Sequence, residues 1–522
     1  MRQTRRHFLR GSLASASALA LSGAPWRTLH AASAPHFAKD PFTLGVASGY
    51  PTQSSVVLWT RLAPTPREPG GGVPPQVIPV EWEIASDDKM TRVVRKGTDY
   101  ATPEWAHSIH AEPNGLEPAR DYWYRFTVGN ARSPIGRTRT APALNAPLAN
   151  LKLAVASCQQ YEQGYFTAYK HMLAGNPDLV LHVGDYIYEL TWGDDLVRSH
   201  DAPEAYTLDD YRQRYALYKS DPDLAAAHAA CPWLVTWDDH EVDNDYAGAI
   251  SEENDDPDLF IARRTAAYRA YYEHMPLPRR AVPFGTSMRL YAQRAFGDLA
   301  NVFMLDQRQY RSPEACSQPG RGGGNRVSPR ECPALEQPQR QMLGERQESW
   351  LFAALANSKA RWNLLGQGTV MSYLNERAGD EPRYWTDAWN GYPAARARLM
   401  DALVAKPIAN PVVLSGDIHA FVVSGLHRKA ANLDTPIIAS ELVTTSISSQ
   451  GIDQKTFDRW SAINPNLLIA DGQHRGYLRL DVSRERLQAD LIAMDTVKSA
   501  NAGAKTLRSF VIEAGRPGPI PL

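Results

Sequence analysis

Four short apolar runs lie along the chain, and each stops at a residue type that can bind a metal ion. The clearest is Leu179–Glu189, LVLHVGDYIYE, in which the apolar residues end at Gly184 and are followed by Asp185 and Tyr188. The other three are LKLAVASC (151–158), WLVTWDDHE (233–241) and PVVLSGDIH (411–419). Short apolar runs bounded by turn residues are typical of buried strands, and α/β sheets bind ligands beyond the carboxyl ends of their strands. The four runs therefore predict one shared site at a sheet edge.

The first part of the chain has a β pattern. Strand-like alternation or β-branched and aromatic enrichment marks FTLGVASG, SVVLWTRL, IPVEWEIAS and DYWYRFTVG, with Pro and Gly between them. Residues 116–122 (LEPARDY) resemble the corner of fibronectin-like sandwiches, in which a Tyr bonds back to the chain. We expect an N-terminal fibronectin/Ig-like β-sandwich over 42–142, with a linker at 141–150.

Strands and helices alternate from Leu151 onward. Helices are predicted over 166–174, 207–219, 224–229, 259–274, 341–358 and 394–405. The fold class is therefore α/β (α+β), with a two-sheet domain flanked by helices over 151–500 and a C-terminal tail over 501–522.

Composition narrows the possible functions. The 522 residues carry a formal net charge of −1, which gives no indication of nucleic-acid binding, and no apolar run of membrane-spanning length follows the N-terminus. The first 34 residues contain five Arg and no acid. Arg5-Arg6 followed by Phe8-Leu9 and a mildly apolar segment resembles a twin-arginine export signal. We therefore expect residues 1–34 to direct the protein through the twin-arginine machinery to the periplasm or outside the cell.

The four cysteines fall into different contexts. Cys316 and Cys332 flank a Gly- and Arg-rich insertion, and in an exported protein we expect them to form a disulfide worth about 3 kcal/mol. Cys231 is expected to be a buried core thiol. Cys158 ends one of the four apolar runs, which makes it a candidate ligand.

The donors at the four strand ends suit two different metal ions. Thiolate and phenolate are charge-donating ligands that ferric iron accepts, whereas oxygen-only ligation suits calcium or magnesium. A carboxylate between two such ions, with water bound to them, would produce a nucleophile and clamp a phosphate ester.

The order of these motifs resembles a known family. GDYIY, DDHE and GDIH are similar to the motifs of calcineurin-like and purple acid phosphatases. ASCQ, GDYIYE, WDDHEVDNDYAG, LDQRQYR, GDIH and VTTSISS resemble the alkaline phosphatase D family more closely, over about residues 42–500. The resemblance implies a calcineurin-like metallophosphatase domain that uses Fe(3+) and Ca(2+).

The resemblance also implies roles for single residues on the iron. Asp185 corresponds to the carboxylate that bridges iron and the divalent ion, and Tyr188 to the phenolate ligand of iron. Cys158 and His419 correspond to the thiolate and the imidazole on iron. For Cys158 a core thiol is the alternative, and for Tyr188 a packing role.

The divalent site is expected to be rich in carboxylates. Asp417 and Asp239 correspond to its ligands, and Asn244 is a further candidate whose alternative role is to cap a turn. The acid phosphatases have another His before the fourth motif, but QGTVM (367–371) occupies that region here. Calcium is therefore expected rather than zinc.

Four further residues are assigned around the metals. His240 and His474 are expected to support the ligands without binding metal themselves. The candidate catalytic residues are Asp185, Arg308 and Arg214. The two arginines are included because they can bind the substrate phosphate. A structural ion pair of Arg308 with Asp306, and a solvated helix face for Arg214, are the alternatives.

These inferences predict an exported alkaline phosphatase that hydrolyses phosphate monoesters, diesters or both by metal-activated oxygen attack. A phosphodiesterase or phospholipase D-type enzyme on the same site is one alternative. The others are an inactive calcium-binding relative and a dizinc or dimanganese phosphodiesterase.

Overall fold

The computed structural model describes residues 35–406 and 408–522. These form seven α-helices: α1 (Ala168–Ala174), α2 (Leu208–Lys219), α3 (Pro222–Ala230), α4 (Pro257–His274), α5 (Glu345–Ala356), α6 (Pro393–Ala405) and α7 (Gln454–Ser461). The expected twin-arginine signal lies outside the described residues.

The same residues form 24 β-strands: β1 (Val46–Gly49), β2 (Val57–Arg61), β3 (Ile78–Ala85), β4 (Val93–Ala101), β5 (Ser108–Ala111), β6 (Asp121–Val128), β7 (Ala131–Arg132), β8 (Gly136–Arg139), β9 (Asn150–Ala156), β10 (Leu179–Val183), β11 (Pro232–Thr236), β12 (Ala292–Phe296), β13 (Ala300–Met304), β14 (Arg326–Val327), β15 (Trp362–Gly366), β16 (Tyr384–Trp385), β17 (Pro411–Ser415), β18 (Phe421–His427), β19 (Ile437–Val443), β20 (Leu467–Asp471), β21 (Gly476–Ser483), β22 (Arg486–Met494), β23 (Ala504–Glu513) and β24 (Arg516–Pro521).

Two large sheets build the body of the molecule. One has ten strands in the order β24-β23-β22-β21-β9-β10-β11-β1-β2-β5, and the other has seven in the order β12-β13-β15-β17-β19-β18-β20. Strands β9, β10 and β11 are parallel, as are β13, β15, β17 and β19. Leu181 and Val183 of the first sheet share one buried cluster with Val302, Leu364 and Leu414 of the second. The sheets thus pack face to face, and their buried parallel strands read as continuous apolar runs.

Helices cover the outer sides of this double sheet. Residues of α5 and α6, including Leu351 and Leu399, form a separate buried cluster with Phe303, Leu365 and Val413 of the seven-stranded sheet. Helix α3 lies against β1, and α1 against β21, on the ten-stranded sheet. No helix in the described part of the chain has the length and apolar character to cross a membrane.

The N-terminal part is joined to the body more closely than a separate domain would be. Strands β3, β4, β6 and β7, with β8 beside β6, form a five-stranded sheet. A second buried cluster links this sheet to β1, β2 and β5, for example Ile84 and Tyr124 to Leu58. However, β1 also pairs in parallel with β11, so one of the two layers is the end of the ten-stranded sheet. The Tyr corner is present, because Glu117 N donates to Tyr122 Oη at 2.9 Å. The fibronectin/Ig-like and calcineurin-like assignments stay predictions.

The expectation of a tail at 501–522 is wrong. This segment forms β23 and β24, which extend the ten-stranded sheet beyond β22. The physical reason is the apolar run Phe510–Ile512, which is buried, with Phe510 and Ile512 in the main core.

Candidate metal centre

The predicted ligands lie in tight turns directly after their strands. Cys158, Asp185, Asp417 and His419 all have a left-handed backbone, with φ of 58°, 58°, 68° and 53°. This region is unfavourable for residues other than Gly, and such strain is concentrated at functional sites. The turns aim four side chains from β9, β10 and β17 into one space between the sheets.

The first cluster contains a thiol, a carboxylate and an imidazole. One ligand atom each of Cys158, Asp185 and His419 lie within 4.8 Å of one another. Tyr188 joins them, since its Oη is 3.1 Å from Asp185 Oδ2 and 3.0 Å from His419 Nε2. The structure therefore brings together all four residues expected on iron.

Two more clusters continue from the first. Asp185 also lies with Asp239 and His240, and Asp239 lies with Asp238 and Asp417, each set within 4.8 Å. Asp185 and Asp239 are thus shared between neighbouring clusters, as bridging carboxylates would be. Asp238 was not assigned from the sequence, although its place beside Asp239 at the same strand end is a local signal for it.

The buried carboxylates have unmatched oxygens. Asp185 and Asp239 are 1 % and 2 % exposed, and Oδ1 of each has no hydrogen-bond partner among the described residues. Burying a carboxylate oxygen without a partner is costly. Burial, together with the negative charge of Asp239, raises the pKa of Asp185 well above its ordinary value. A cation at this position would remove both penalties, so the residues present fit a metal ion.

The imidazole of His419 is prepared for ligation. Its Nδ1 contacts the carbonyl oxygen of Gln450, which leaves Nε2 directed at Tyr188 and the first cluster. Burial lowers the pKa of His419 to about 3, so the ring is neutral at physiological pH, as a metal ligand requires.

Three glycines of the centre lie where a side chain would collide with Asp238 or Ser157. A Cβ at Gly368 would lie 2.5 Å from Asp238 Oδ2, and one at Gly184 would lie 2.5 Å from Asp238 Cβ. A Cβ at Gly416 would lie 2.5 Å from Ser157 Oγ. The sequence GD in two of the motifs therefore has a steric reason as well as a turn-forming one.

His240 lies between a cluster and a supporting acid. Its Nδ1 is 2.8 Å from Glu189 Oε2, and its ring is 4.1 Å from that of Tyr188. Burial alone lowers the pKa of His240, but the negative charges of Glu189, Asp239 and Asp185 outweigh this and hold it well above its ordinary value. The pairing with Glu189 agrees with the supporting role expected for His240.

Two residues that hold the ligands were missed by the sequence analysis. Ser449 Oγ is 2.9 Å from Tyr188 Oη and 2.7 Å from the carbonyl oxygen of Cys158. Arg475 Nη1 donates to the carbonyl oxygens of His419 and Ser449 at 2.8 and 2.9 Å. No local pattern marks Arg475, whereas Ser449 lies in the VTTSISS motif.

Arg308 does not fit its expected role as a phosphate-binding residue. It is fully buried, with Nη1 and Nη2 donating to both oxygens of Asp387 at 2.5 and 2.8 Å. Its Nε donates to Asp238 at 2.5 Å, and Nη2 is 3.6 Å from Asp239. The alternative of an ion pair with Asp306 is also wrong, since Asp306 Oδ1 accepts from the backbone N of Arg308. Arg308 instead positions two of the cluster carboxylates.

Arg214 and His474 are also placed differently from the expectation. Arg214 is 3 % exposed, and its guanidinium donates to the carbonyl oxygens of Tyr188 and Pro203, so it holds the turn that carries Tyr188 and is not free for substrate. The His474 ring is paired with Asp471, with Nδ1 at 3.0 Å from both carboxylate oxygens. The neighbouring Arg475 performs the supporting role expected of His474.

The last predicted residues to be located in the structure are Asn244 and the cysteines. The backbone N of Asn244 donates to Glu189 Oε1 at 3.0 Å, and no hydrogen bond within the described ranges involves its side-chain amide. Its role as a ligand stays a prediction. Cys316 and Cys332 are joined by a disulfide, and Cys231 is a buried free thiol.

An open cavity of about 410 Å³ leads to the clusters. Asp417 and His419 lie in its wall, and the other walls are largely apolar. Fold and site together define the class of protein: a layered α/β protein with a candidate metal centre of carboxylate, thiol, phenol and imidazole groups at its strand ends.

Comparisons with known proteins agree with this class. The family model for PhoD-like phosphatases matches residues 153–491, and the model for the N-terminal domain of PhoD-like phosphatases matches residues 28–142. The chain is 45 % identical over 494 residues to alkaline phosphatase D of Bacillus subtilis (strain 168), covering 93 % of this chain and 83 % of that protein. A solved structure described as that of PhoD superposes with a TM-score of 0.89 at 45 % identity, covering 94 % of this chain and 93 % of the other.

This chain belongs to the PhoD-like phosphatase family. The resemblance read from the motifs is thereby confirmed, as is the expectation of a phosphoric ester hydrolase.

Proposed function

We propose that the protein is an exported alkaline phosphatase that hydrolyses phosphodiesters at least as well as phosphomonoesters, at a centre holding Fe(3+) and Ca(2+). The observation that carries this proposal is the set of three overlapping clusters with unmatched buried oxygens on Asp185 and Asp239. Phosphodiesters are included because they carry a single negative charge and the described cavity wall offers no free cation for a second one. Its one cationic side chain, Arg326, is already paired with Glu376 at 2.5 Å. A substrate with a single negative charge therefore needs no unpaired arginine from the protein.

The asymmetry of the donors supports two different ions. Cys158, Tyr188, His419 and Asp185 would hold the iron, to which they could offer a thiolate, a phenolate, an imidazole and a carboxylate. Asp238, Asp239 and Asp417 offer only carboxylates, the oxygen ligands that calcium prefers. When bound, the ions would lower the pKa of a water molecule and neutralise charge on the phosphate.

The protein's own groups have distinct tasks in this reaction. Arg308 fixes the Asp238 and Asp239 carboxylates so that they need not reorganise when substrate enters. Glu189 fixes the ring of His240 beside Asp185 and Asp239, and this ring is the candidate group for giving a proton to the leaving oxygen. A substrate seated against the largely apolar wall of the cavity would displace water there, which would strengthen the electrostatic interactions inside.

The metal assignment is tested by elemental analysis and visible spectroscopy of the purified, untreated protein. We expect iron and calcium together with a charge-transfer band that Tyr188→Phe or Cys158→Ala abolishes. Tyr186→Phe and Cys231→Ala are matched controls, because Tyr186 contacts His228 instead of the clusters and Cys231 is the other buried free thiol. Zinc or manganese without a band would refute the iron assignment, and a protein without stoichiometric metal would favour the inactive binding relative.

Export is a separate part of the proposal and has its own test. Arg5 and Arg6 precede an apolar segment. In the double variant Arg5→Lys/Arg6→Lys, the phosphatase is therefore expected to stay in the cytoplasm and to be active there. The unchanged chain is expected to deliver activity to the periplasm or medium in a host with a working twin-arginine translocase. Equal distribution of the two proteins would contradict export by this route.

A further inference from the structure

The cavity that reaches the metal clusters has an aromatic wall. Trp192, Trp385 and Trp460 line it, with Leu374, Ile418 and Val370 between them. Asp417 and His419, which belong to the clusters, also line it. A group attached to a phosphate at the clusters must therefore extend along this wall.

The tryptophans are held in fixed positions. The Trp192 ring is nearly parallel to that of His419, at 15° and 5.9 Å between centroids. Trp460 packs edge-on against Phe457 at 5.3 Å. Such fixed rings lose little side-chain entropy when a ligand binds against them.

Trp385 is positioned from behind by a glycine. A Cβ at Gly324 would lie 2.7 Å from Trp385 Cζ2, so the ring fits only because residue 324 has no side chain. Gly324 is itself tied to the centre, since its N donates to Asp245 Oδ2 at 3.1 Å and Asp245 N donates to Asp239 Oδ2 at 2.8 Å. The guanidinium of Arg326 covers the Trp385 ring at 5.0 Å.

Polar side chains of the wall are paired, except that the buried Trp192 Nε1 has no hydrogen-bond partner among the described residues. Arg326 is paired with Glu376, and the side-chain amide of Asn390 donates to the carbonyl oxygen of Ser372 at 3.0 Å. The wall therefore offers stacking and apolar contact without an unpaired charge beyond the clusters themselves. Such a surface binds a planar aromatic ring more tightly than an aliphatic group of the same size. The reason is that an aromatic pair contributes more binding free energy than its buried area alone provides.

We propose that this aromatic cavity binds an uncharged planar aromatic substituent of the ester substrate, next to the phosphate at the clusters. The inference rests on the proposed phosphoesterase function and names a substrate class for it. The residues that determine this specificity are Trp385, which forms the wall, and Gly324, which positions it.

The test uses three phosphodiesters with the same aliphatic leaving group, 2,2,2-trifluoroethyl, whose release is followed by fluorine NMR, and a methyl, cyclohexylmethyl or benzyl second substituent. The metal-loaded protein is expected to show kcat/KM for the benzyl ester roughly tenfold or more above that for the methyl ester, with the cyclohexylmethyl ester between them. Because the leaving group is constant and a CH2 group separates each ring from oxygen, the comparison reports binding along the wall.

Variants assign the effect to residues. Trp385→Ala is expected to lower kcat/KM for the benzyl ester by about 2- to 13-fold, the contribution of one aromatic pair, while leaving the methyl ester within about threefold. Trp385→Phe is expected to restore most of the preference, and Gly324→Ala to reduce it by displacing the intact indole. Trp82→Ala, on β3 in the five-stranded sheet, is the matched control and is expected to leave all three values unchanged.

Several outcomes would overturn the inference. Equal kcat/KM for the benzyl and methyl esters would exclude a subsite, and equal values for benzyl and cyclohexylmethyl would exclude an aromatic one. An equal loss on all three esters in Trp385→Ala would make the ring structural. Hydrolysis of none of the esters by the metal-loaded protein would instead refute the proposed hydrolysis of phosphodiesters, which keeps the two failures distinct.

Discussion

Replacing Arg308 by Met is the most informative single change that the structure suggests. The side chain is fully buried and contacts three carboxylates, those of Asp387, Asp238 and Asp239. Met keeps much of the volume but removes the charge and all its donors. Removing one partner of a buried ion pair costs about 3–5 kcal/mol, because the remaining charges stay buried without compensation.

This cost can be converted into a melting temperature. With an unfolding entropy of about 2.1 cal/mol/K per residue, the 522 residues give about 1.1 kcal/mol per kelvin. The Arg308→Met protein is therefore expected to melt about 3 to 5 °C below the parent in calorimetry or circular dichroism. It is also expected to bind the divalent metal more weakly, since Asp238 and Asp239 lose the group that orients them.

Two comparisons make the result specific. Arg428→Met removes an exposed pair with Asp401 at 2.8 Å, with side chains 51 % and 59 % exposed, and is expected to cost less than about 1 kcal/mol. The double variant Arg308→Met/Asp387→Asn is expected to cost less than the sum of the two single changes by at least about 1.5 kcal/mol. An Arg308→Met protein that melts like Arg428→Met, retains its metals and shows only a raised KM would refute this reasoning and return Arg308 to substrate binding.

Three further predictions follow from the site and the N-terminal sheet. In metal-free protein burial raises the pKa of Asp238 to about 7 and that of Glu241 to about 8. The native state then binds protons that the unfolded state has released. The stability that these two protonated carboxyls contribute is therefore fully present below their unfolded pKa values and is lost as pH rises through 7 and 8. Melting of chelator-treated protein at pH 5 and pH 8 checks this, and an unchanged or higher Tm at pH 8 would contradict it. Gly368→Ala is expected to lower kcat/KM at least tenfold with a small change in Tm, because the new Cβ lies within 2.5 Å of Asp238 Oδ2 and displaces a carboxylate by a distance that matters for catalysis; an activity equal to that of the parent would count against the assignment of Asp238. Tyr122→Phe is expected to cost about 1 kcal/mol in denaturant unfolding through the lost bond to Glu117 N, with unchanged kcat/KM.

The strand ends were predictable from the sequence because each carries its signal locally. An apolar run, a glycine and a donor occur within a few residues at Asp185 and at Asp417, and parallel neighbours bring such ends to one edge. For this reason the four residues expected on iron could be placed together from the sequence, and their binding of iron stays a prediction. The turn of Tyr122 was likewise a local pattern.

The remaining features depend on partners far away in the sequence. Arg308 and Arg214 were interpreted as free cations because nothing nearby shows that Asp387 and the carbonyl oxygen of Tyr188 enclose them. The pairing of β1 with β11 joins residues 46–49 to 232–236, and no periodicity within either segment predicts it. The sequence at 504–521 does not show its strands, because their register is set by the neighbouring β22 and not by their own composition.

The ten-stranded sheet has a consequence for the order in which this protein can be assembled. Strand β9 is bordered on one side by β10, which follows within about 30 residues, and on the other by β21, whose Leu480 pairs with Leu153. Strand β1 likewise cannot form its parallel pairing until β11 has been synthesised. During synthesis the strand that carries Cys158 therefore keeps an open edge until almost the whole chain has been made, whereas β10, which carries Asp185, has β11 as its second neighbour much earlier. Such long-range pairing is slow and leaves edges exposed to other chains. The centre is thus completed among the last steps of folding, and a chain shortened before β21 would lack the neighbour that closes β9.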